Sequence, residues 1–339
     1  MKPYCDNFVL SSFFANIVYE MKFGGKLMEK IQLKDLNKKM TRIGLGTNAV
    51  GGHNLFENIN EADGKEYVRE AIKLGVNFID TADVNGFGRS EELVGEVLKE
   101  FNREELIIAT EGAQNFYDLD NFKTDNRPQY LREAFEKSLS RLKLDYVDIY
   151  YLHFPDGETP FSESIGELAQ LKAEGKINSI GISNISIEQL KEANVNGDIS
   201  FIQAPYNMLD RSSEKDLIPY ALEHNIAFIP YGPLAFGLLG GGFSKDSQLA
   251  QGDWRQSVEL FNENNYAKNL AKVENLKAIA KTLNITLPNL ALAWLMNQEG
   301  VTAVIPGGRR KERIQANILA ADIQMDTSQL EAIEVILNS

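Results

Sequence analysis

Near the C-terminal end of the chain, a glycine pair stands beside arginines in a pattern suited to binding phosphate. Gly307 and Gly308 precede a segment of helical periodicity that carries Arg309 and Arg313, four residues apart. A Gly-Gly turn that opens a helix exposes backbone N–H groups to an anion. Residues four apart share one helix face, and guanidinium binds phosphate bidentately. The pattern favours a phosphate monoester as the ligand; a solvated, basic helix start is the alternative.

Other polar residues lie at or just after the C-terminal ends of short apolar runs, which is where the strands of an α/β barrel carry functional groups. These residues are Asp80, Glu111, His153, Ser183, Asn184, Gln203 and Tyr231. Each has an ordinary structural alternative, as a loop-capping aspartate, a core histidine, a strand-end polar group or a core tyrosine. Polar groups from every strand end would converge on one pocket, and this convergence favours a functional site.

The elements that must position these residues alternate between short apolar runs and longer amphipathic segments. Runs typical of parallel strands buried on both faces lie at 42–46, 77–81, 106–110, 147–152, 177–182, 200–204, 227–231 and 302–305. Helical periodicity predicts helices at 61–74, 90–100, 128–142, 161–174, 186–193, 212–224, 267–283 and 287–298. These β-then-α units predict an α/β fold, a single-domain (β/α)₈ TIM barrel. An open doubly wound sheet is disfavoured, because Gly44-Leu45-Gly46 lacks the third glycine of a GxGxxG motif.

The remaining segments lie outside these units. Residues 31–40 are predicted to form a hairpin that plugs the barrel bottom, and the glycine-rich region 232–264 a functional loop over its mouth. We expect the barrel domain at 28–339 and an extension at 1–27. Two interpretations of the extension stay open. Either translation starts at Met28, since the codons before it can be written as a ribosome-binding site, or residues 1–27 form a disordered or helical arm.

Composition narrows the classes of function. The chain has 35 Lys and Arg against 48 Asp and Glu, a net charge of −13, so we expect no nucleic-acid or membrane partner. Cys5 is the single cysteine, which excludes an intrachain disulfide and favours a reducing, cytoplasmic location. Three scattered histidines without a CxxC or HExxH motif predict no metal site.

Several longer motifs follow one another along the chain. They are IGLGTNAVGG (43–52), NFIDTADVNGFGRSEELVGEVLK (77–99), LIIATEG (106–112), SLSRLKLDYVDIYYLHFPD (138–156), KINSIGISN (176–184), PYNMLDR (205–211), YGPLAFGLLGG (231–241) and VIPGGRRKERIQAN (304–317). In sequence and order they resemble the aldo-keto reductase family, and the resemblance covers residues 31–337. It implies an NADP(H)-dependent oxidoreductase that transfers a hydride between nicotinamide and a small carbonyl or alcohol substrate.

The resemblance also implies how the cofactor is bound, extended across the barrel mouth. It assigns the nicotinamide carboxamide to Ser183, Asn184 and Gln203, the nicotinamide ring to Tyr231, the pyrophosphate to the backbone around Gly232, Pro233, Leu234 and Gly237, the 2′-phosphate to Arg309 and Arg313, and the adenine to Asn317. The arginines favour NADP over NAD.

The catalytic positions depart from the family pattern. Reductases of the family use an Asp, a Tyr, a Lys and a His, in which the Tyr protonates the developing alkoxide and the Lys lowers the pKa of the Tyr. Asp80 and His153 match, but Asn85 stands at the Tyr position and Glu111 at the Lys position. An amide is a poor acid, and the loss of a general acid costs about 10²–10⁴-fold in rate. Two facing carboxylates should share a proton, with one pKa raised.

Three hypotheses follow for the function. In the first, the protein is an NADPH-dependent carbonyl reductase of reduced activity, with His153 or water as the acid. In the second, a protonated Glu111, primed by Asp80, acts as a general acid in enone reduction, dehydration or epimerisation. In the third, the protein is a non-catalytic NADP(H)-binding regulatory or sensor protein. The family resemblance favours the first.

Overall fold

Seven parallel strands form a curved sheet at the centre of the protein. The computed structural model describes residues 29–116 and 123–339, and the predicted extension at 1–27 lies outside them. The strands are β1 (Lys30–Ile31), β2 (Met40–Thr41), β3 (Leu45–Gly46), β4 (Phe78–Asp80), β5 (Ile107–Gly112), β6 (Gln114–Asn115), β7 (Lys123–Thr124), β8 (Val147–Leu152), β9 (Ile177–Ser183), β10 (Ile199–Pro205) and β11 (Ala227–Tyr231). The sheet has the order β3-β4-β5-β8-β9-β10-β11, while β1 pairs with β2 and β6 with β7. Neighbours in the sheet follow chain order, as in a β/α barrel.

The eighth predicted strand, 302–305, is not a regular strand, and isolated bridges close the barrel in its place. Gly44 donates its backbone N–H to Val304 (2.8 Å) on one side, and Thr302 donates to β11 (3.0 Å) on the other. Pro306 follows in the chain, and because it has no N–H it cannot extend the ladder. The closed sheet confirms the predicted single-domain (β/α)₈ barrel.

Helices surround the sheet close to the predicted positions. They are α1 (Asn48–Gly51), α2 (Glu61–Lys73), α3 (Arg89–Leu98), α4 (Pro128–Leu142), α5 (Phe161–Ala173), α6 (Ile187–Ala193), α7 (Leu217–Glu223), α8 (Glu263–Thr282), α9 (Leu287–Asn297), α10 (Lys311–Asn317) and α11 (Thr327–Leu337). Within the described residues, no helix is long and apolar enough to cross a membrane.

The predicted helix at 212–224 is wrong in its first half. A 3₁₀ turn, Ser212–Glu214, precedes α7, which begins only at Leu217. Pro219 lies in the first turn of α7, where its missing N–H is tolerated, but a helix starting earlier would place it in the interior. The side chain of Asp216 accepts a hydrogen bond from Leu217 N (2.7 Å) and caps the new start.

The segment before the barrel forms the predicted hairpin at the bottom. β1 and β2 pair antiparallel, and the side chains of Leu36, in the connection, and Met40, in β2, are buried. They share a core cluster with Phe78, Ile107, Ile149, Phe201, Ile229 and Ile305. Alternate residues of barrel strands point inward, so this cluster fills the barrel interior. The larger core cluster joins the sheet to the helices.

Candidate active site

A cavity of about 1890 Å³ opens where the parallel strands end. All of the residues to which the sequence assigned a site role line it. They are Asp80, Asn85, Glu111, His153, Ser183, Asn184, Gln203, Tyr231, Gly232, Pro233, Leu234, Gly237, Gly307, Gly308, Arg309, Arg313 and Asn317. The convergence of strand-end residues follows from the common direction of the strands, whose carboxyl ends share one face of the barrel.

Asp80 ends β4 and lies buried at the base of the cavity. Its Oδ2 accepts a hydrogen bond from Gln203 Nε2 at 3.1 Å. Burial raises the pKa of the Asp80 carboxyl to about 8, against which the hydrogen bond from Gln203 acts only in part. Asp80 is therefore largely protonated at neutral pH.

Glu111, on β5, is a second buried carboxyl beside Asp80. Burial, followed by the negative charges of Asp80 and Asp83, raises its pKa well above the ordinary value. The sequence predicted one raised carboxyl pKa in the pair, and that expectation is wrong. Both are raised because each carboxyl is desolvated, and burial is the largest cause in each case.

His153 follows β8 and faces Glu111. Its Nε2 lies 3.5 Å from Glu111 Oε2. Within the described residues neither Glu111 Oε2 nor His153 Nδ1 has a hydrogen-bond partner. Burial lowers the pKa of His153 to about 4, so the imidazole is neutral at pH 7 and faces a carboxyl whose pKa burial raises.

Asn85 lies in the loop between β4 and α3 and is 8% exposed. Its backbone carbonyl accepts from Ser90 N at 3.1 Å, which ties the loop to the start of α3. Within the described part of the chain, its side-chain amide makes no hydrogen bond to protein and lines the cavity. An amide in this position is free to donate to a ligand oxygen.

A hydrogen-bonded chain orders the next polar groups around the cavity. Tyr231 donates its hydroxyl to Asn184 Oδ1 (2.8 Å), and Asn184 Nδ2 donates to Ser183 Oγ (3.0 Å) and to His153 O (3.0 Å). Asn184 has a φ of 53°, in the left-handed region that asparagine tolerates better than most residues. Burial raises the pKa of the Tyr231 hydroxyl to about 12, so the hydroxyl stays protonated and can donate this hydrogen bond.

Glycines form a cradle in which backbone comes to the cavity surface. A Cβ added at Gly232 would lie 2.9 Å from the Phe236 ring, and one at Gly307 would lie 3.0 Å from Asn48 Oδ1. Gly232 also has a φ of 62°, which favours glycine. An extended phosphate-containing ligand fits this surface, because backbone N–H groups can approach it without side chains between them.

Arginines at the far end of the cavity are arranged differently from the prediction. Helix α10 begins at Lys311 with Arg310 as its N-cap residue, so Arg309 precedes the helix and does not share a face with Arg313. The guanidinium carbon of Arg309 lies 4.7 Å from the centroid of the Phe56 ring, and its Nη1 donates to Glu57 O at 3.2 Å. These contacts hold Arg309 on a neighbouring loop, and both arginines still line the cavity.

Sequence reasoning missed Phe56 and Asn54, which also line the cavity. Both lie in the connection between α1 and α2, where no periodicity marks buried positions. The useful signal is a phenylalanine in a polar connection of HNLFENIN, since an aromatic residue in such a loop needs a packing partner. In the described residues, no group of three or more His, Cys, Asp or Glu is placed to hold a metal ion.

Comparisons with known proteins agree with this architecture. The profile of the Aldo/keto reductase family matches residues 42–338. The chain is 35% identical over 291 residues to Aldo-keto reductase YhdN of Bacillus subtilis (strain 168), which covers 85% of this chain and 87% of the relative. It is 32% identical over 311 residues to the NADH-specific methylglyoxal reductase of Escherichia coli (strain K12), and the match covers 88% of this chain and 95% of the relative. The solved glycerol dehydrogenase AKR11B4 from Gluconobacter oxydans superimposes with a TM-score of 0.83 at 31% identity, over 92% of this chain and 96% of that one. The chain therefore belongs to the aldo/keto reductase family of oxidoreductases.

Proposed function

We propose that the protein is an NADP(H)-dependent oxidoreductase that transfers a hydride between nicotinamide and a small carbonyl or alcohol substrate. We further propose that Asn85 and Glu111 lower its rate of carbonyl reduction. We place it in the cytoplasm on the strength of its single cysteine. The bound cofactor would supply or accept the hydride, and the protein would bind, orient and manage protons.

The proposal of NADP(H) as the cofactor rests on arginines at one end of the cavity that have no carboxylate partner among the described residues. Every arginine outside 309–313 forms an ion pair with a carboxylate. Within the described residues, Arg309, Arg310 and Arg313 form none, although the chain carries a net charge of −13. Guanidinium groups left without carboxylates at a cavity edge suit a phosphate monoester such as the 2′-phosphate of NADP(H).

The positive charge near Arg309 also favours NADP(H) as the cofactor. Burial, followed by the positive charge of Arg255, lowers the pKa of Arg309. Arg255 is itself paired with Asp253 (2.6 Å), so it does not need the anion. A phosphate bound at Arg309 would relieve the repulsion between the two guanidinium groups. NADH, which lacks the 2′-phosphate, would gain nothing from this end of the cavity.

At the other end of the cavity, side chains can orient a carbonyl but supply few protons. Asn85 can donate an amide N–H to a carbonyl oxygen, and neutral His153 can donate one ring N–H. With a pKa of about 4, His153 does not hold a second, acidic proton at neutral pH. The proton that completes an alcohol would therefore come from water or from a protonated carboxyl.

Glu111 gives a second candidate function a specific basis. Its carboxyl is 4% exposed, carries a raised pKa and has one oxygen without a hydrogen bond. A neutral carboxyl at a cavity wall can act as a general acid at pH 7. This arrangement favours chemistry in which a proton is delivered to substrate, such as enone reduction, dehydration or epimerisation. Burial, and after it the neighbouring Asp80, keeps the pKa of Glu111 high.

The decisive experiment follows NADPH oxidation at 340 nm with aldehydes, ketones and enones. We compare the wild type with Asn85→Tyr/Glu111→Lys and with Glu111→Gln. We expect the double variant to reduce carbonyls about 10²–10⁴-fold faster, since it restores a general acid. A wild type that matches the double variant would refute the argument from positions 85 and 111.

The same comparison separates the candidate functions. If Glu111 is the acid, Glu111→Gln keeps the shape of the side chain but loses the reaction. Binding of NADPH without turnover of any substrate by the wild type would favour a regulatory or sensor protein. Preference for NADH over NADPH would contradict the assignment of the arginines.

A further inference from the structure

Residues 52–58, which we term the bridging segment, lie in the connection between α1 and α2 and contact both ends of the proposed site. At one end the segment contacts Arg309, which we assign to the cofactor phosphate. At the other end it contacts the loop that carries Asn85. No role in binding or catalysis follows from its sequence alone.

The contact with Arg309 uses two consecutive residues of the bridging segment. The Phe56 ring lies under the guanidinium with its centroid at 4.7 Å, within range of a cation–π contact. The next residue, Glu57, accepts a hydrogen bond from Arg309 Nη1 through its carbonyl oxygen at 3.2 Å. The side chain of Arg309 is therefore held against the bridging segment by two contacts.

The contact with the Asn85 loop comes from a single side chain. Asn54 Nδ2 donates to Val84 O at 3.1 Å, and Asn54 Oδ1 accepts from Gly86 N at 2.7 Å. These two groups belong to the residues immediately before and after Asn85. Asn54 thus clamps the backbone on both sides of Asn85.

The packing under the loop leaves little room for independent movement. A Cβ on Gly86 would overlap the carbonyl oxygen of Gly51, and a Cβ on Gly51 would lie 2.7 Å from Ser90 N. Gly86 also has a φ of 63°. Backbone in this close contact transmits a displacement instead of absorbing it.

We propose that the bridging segment couples binding of the cofactor phosphate at Arg309 to the positioning of Asn85, with Asn54 as the positioning residue. The inference rests on the proposed function for the identity of the ligand. A phosphate that holds Arg309 also orders Phe56 and Glu57, and through Asn54 it orders the loop that faces the substrate. By linkage, ordering of that loop must in turn strengthen binding at Arg309.

The test measures amide hydrogen exchange of peptides spanning 84–90 in the full-length protein, with and without saturating NADPH. We expect NADPH to slow exchange at Gly86 about 2- to 10-fold in the wild type, the range of the one hydrogen bond that Gly86 N donates to the Asn54 side chain. Asn54→Ala should abolish this slowing although NADPH still binds. Because Asn54 is exposed, the variant removes no core packing.

Matched variants identify the route of the coupling. His53→Ala removes an exposed neighbour that pairs with Glu61, and the slowing should remain. Arg309→Ala and Arg313→Ala should both weaken NADPH binding, but at saturation only Arg309→Ala should lose the slowing at Gly86. As a second readout, Asn54→Ala should lower kcat for carbonyl reduction more than it changes the Kd for NADPH.

The outcomes separate this inference from the proposed function. Slowing that persists in Asn54→Ala, or that disappears equally in Arg313→Ala, would overturn the coupling and leave the proposed function intact. NADPH binding without slowed exchange at 84–90 in the wild type would do the same. A wild type that binds no nicotinamide nucleotide would overturn both.

Discussion

We expect the free energy of unfolding of the wild type to fall as the pH rises to 8, and that of Asp80→Asn to fall less. Burial raises the pKa of the Asp80 carboxyl from 3.8 to about 8, so the folded protein keeps a proton that the unfolded chain releases. The free energy of unfolding therefore falls by about 1.4 kcal/mol per pH unit between these values. The stabilisation is fully present below pH 3.8 and is lost as the pH passes through about 8.

The measurement is sharpest between pH 6.5 and pH 8, because His153 acts in the opposite direction below this window. Burial lowers the pKa of His153 from 6.5 to about 4, so its stabilising effect has largely developed by pH 6.5. Since Asp80 is half titrated at pH 8, the wild type should lose about 1.6 kcal/mol more than Asp80→Asn over the window.

Urea unfolding of both proteins at the two pH values gives the difference directly. Glu111 changes the size of the effect but not its sign, because its pKa is raised by burial as well. Equal losses in the wild type and in Asp80→Asn would mean that folded Asp80 is already ionised at pH 6.5. That result would refute the reasoning from burial.

Three further predictions concern charge and backbone. Arg309→Ala/Arg313→Ala should weaken NADPH binding about 10²- to 10⁴-fold and NADH binding little, since each of the two arginines would lose a charged hydrogen bond of about 1.5–3 kcal/mol; fluorescence titration with both nucleotides checks this, and equal losses would contradict it. An added Cβ at Gly166 in α5 would meet nothing within 4 Å, so Gly166→Ala should raise the free energy of unfolding by about 0.5–1 kcal/mol in urea. Arg103→Ala should lower it by about 1–3 kcal/mol, because fully buried Asp148 loses a 2.7 Å ion pair and keeps one with a lysine at 3.0 Å; an unchanged urea midpoint would contradict this.

The barrel could be predicted because its strands are buried on both faces and read as continuous apolar runs. The structure departs from the prediction at two prolines, where the backbone and not the hydrophobic pattern determines where an element begins or ends. Pro306 lacks the N–H that would extend the last strand, and Pro219 delays the start of α7. Residues 302–305 have the composition of a strand, but they join the sheet only through bridges.

The residues that line the candidate site could be predicted from the sequence. Their pKa values and the position of Arg309 could not. Strand-end residues such as Asp80 and Gln203 had to converge, because parallel strands end at one face of the barrel. The extent of burial could not be deduced from the sequence, so one raised carboxyl pKa was predicted where both are raised. The position of Arg309 depends on its contact with Phe56, a residue in a loop whose course no periodic pattern fixes.

Gln203 contacts the buried carboxyl of Asp80 and is also one of the residues proposed to bind the nicotinamide. Its amide donates one N–H to Asp80 at 3.1 Å, and the family resemblance assigns the same side chain to the nicotinamide carboxamide. A hydrogen bond to an ionised carboxylate is about twice as strong as one to a neutral acid. Ionisation of Asp80 would therefore hold the Gln203 amide more tightly and leave it less free for a ligand. Burial of Asp80, which raises the pKa of its carboxyl to about 8, would thus leave the Gln203 amide more available to the proposed nucleotide at neutral pH.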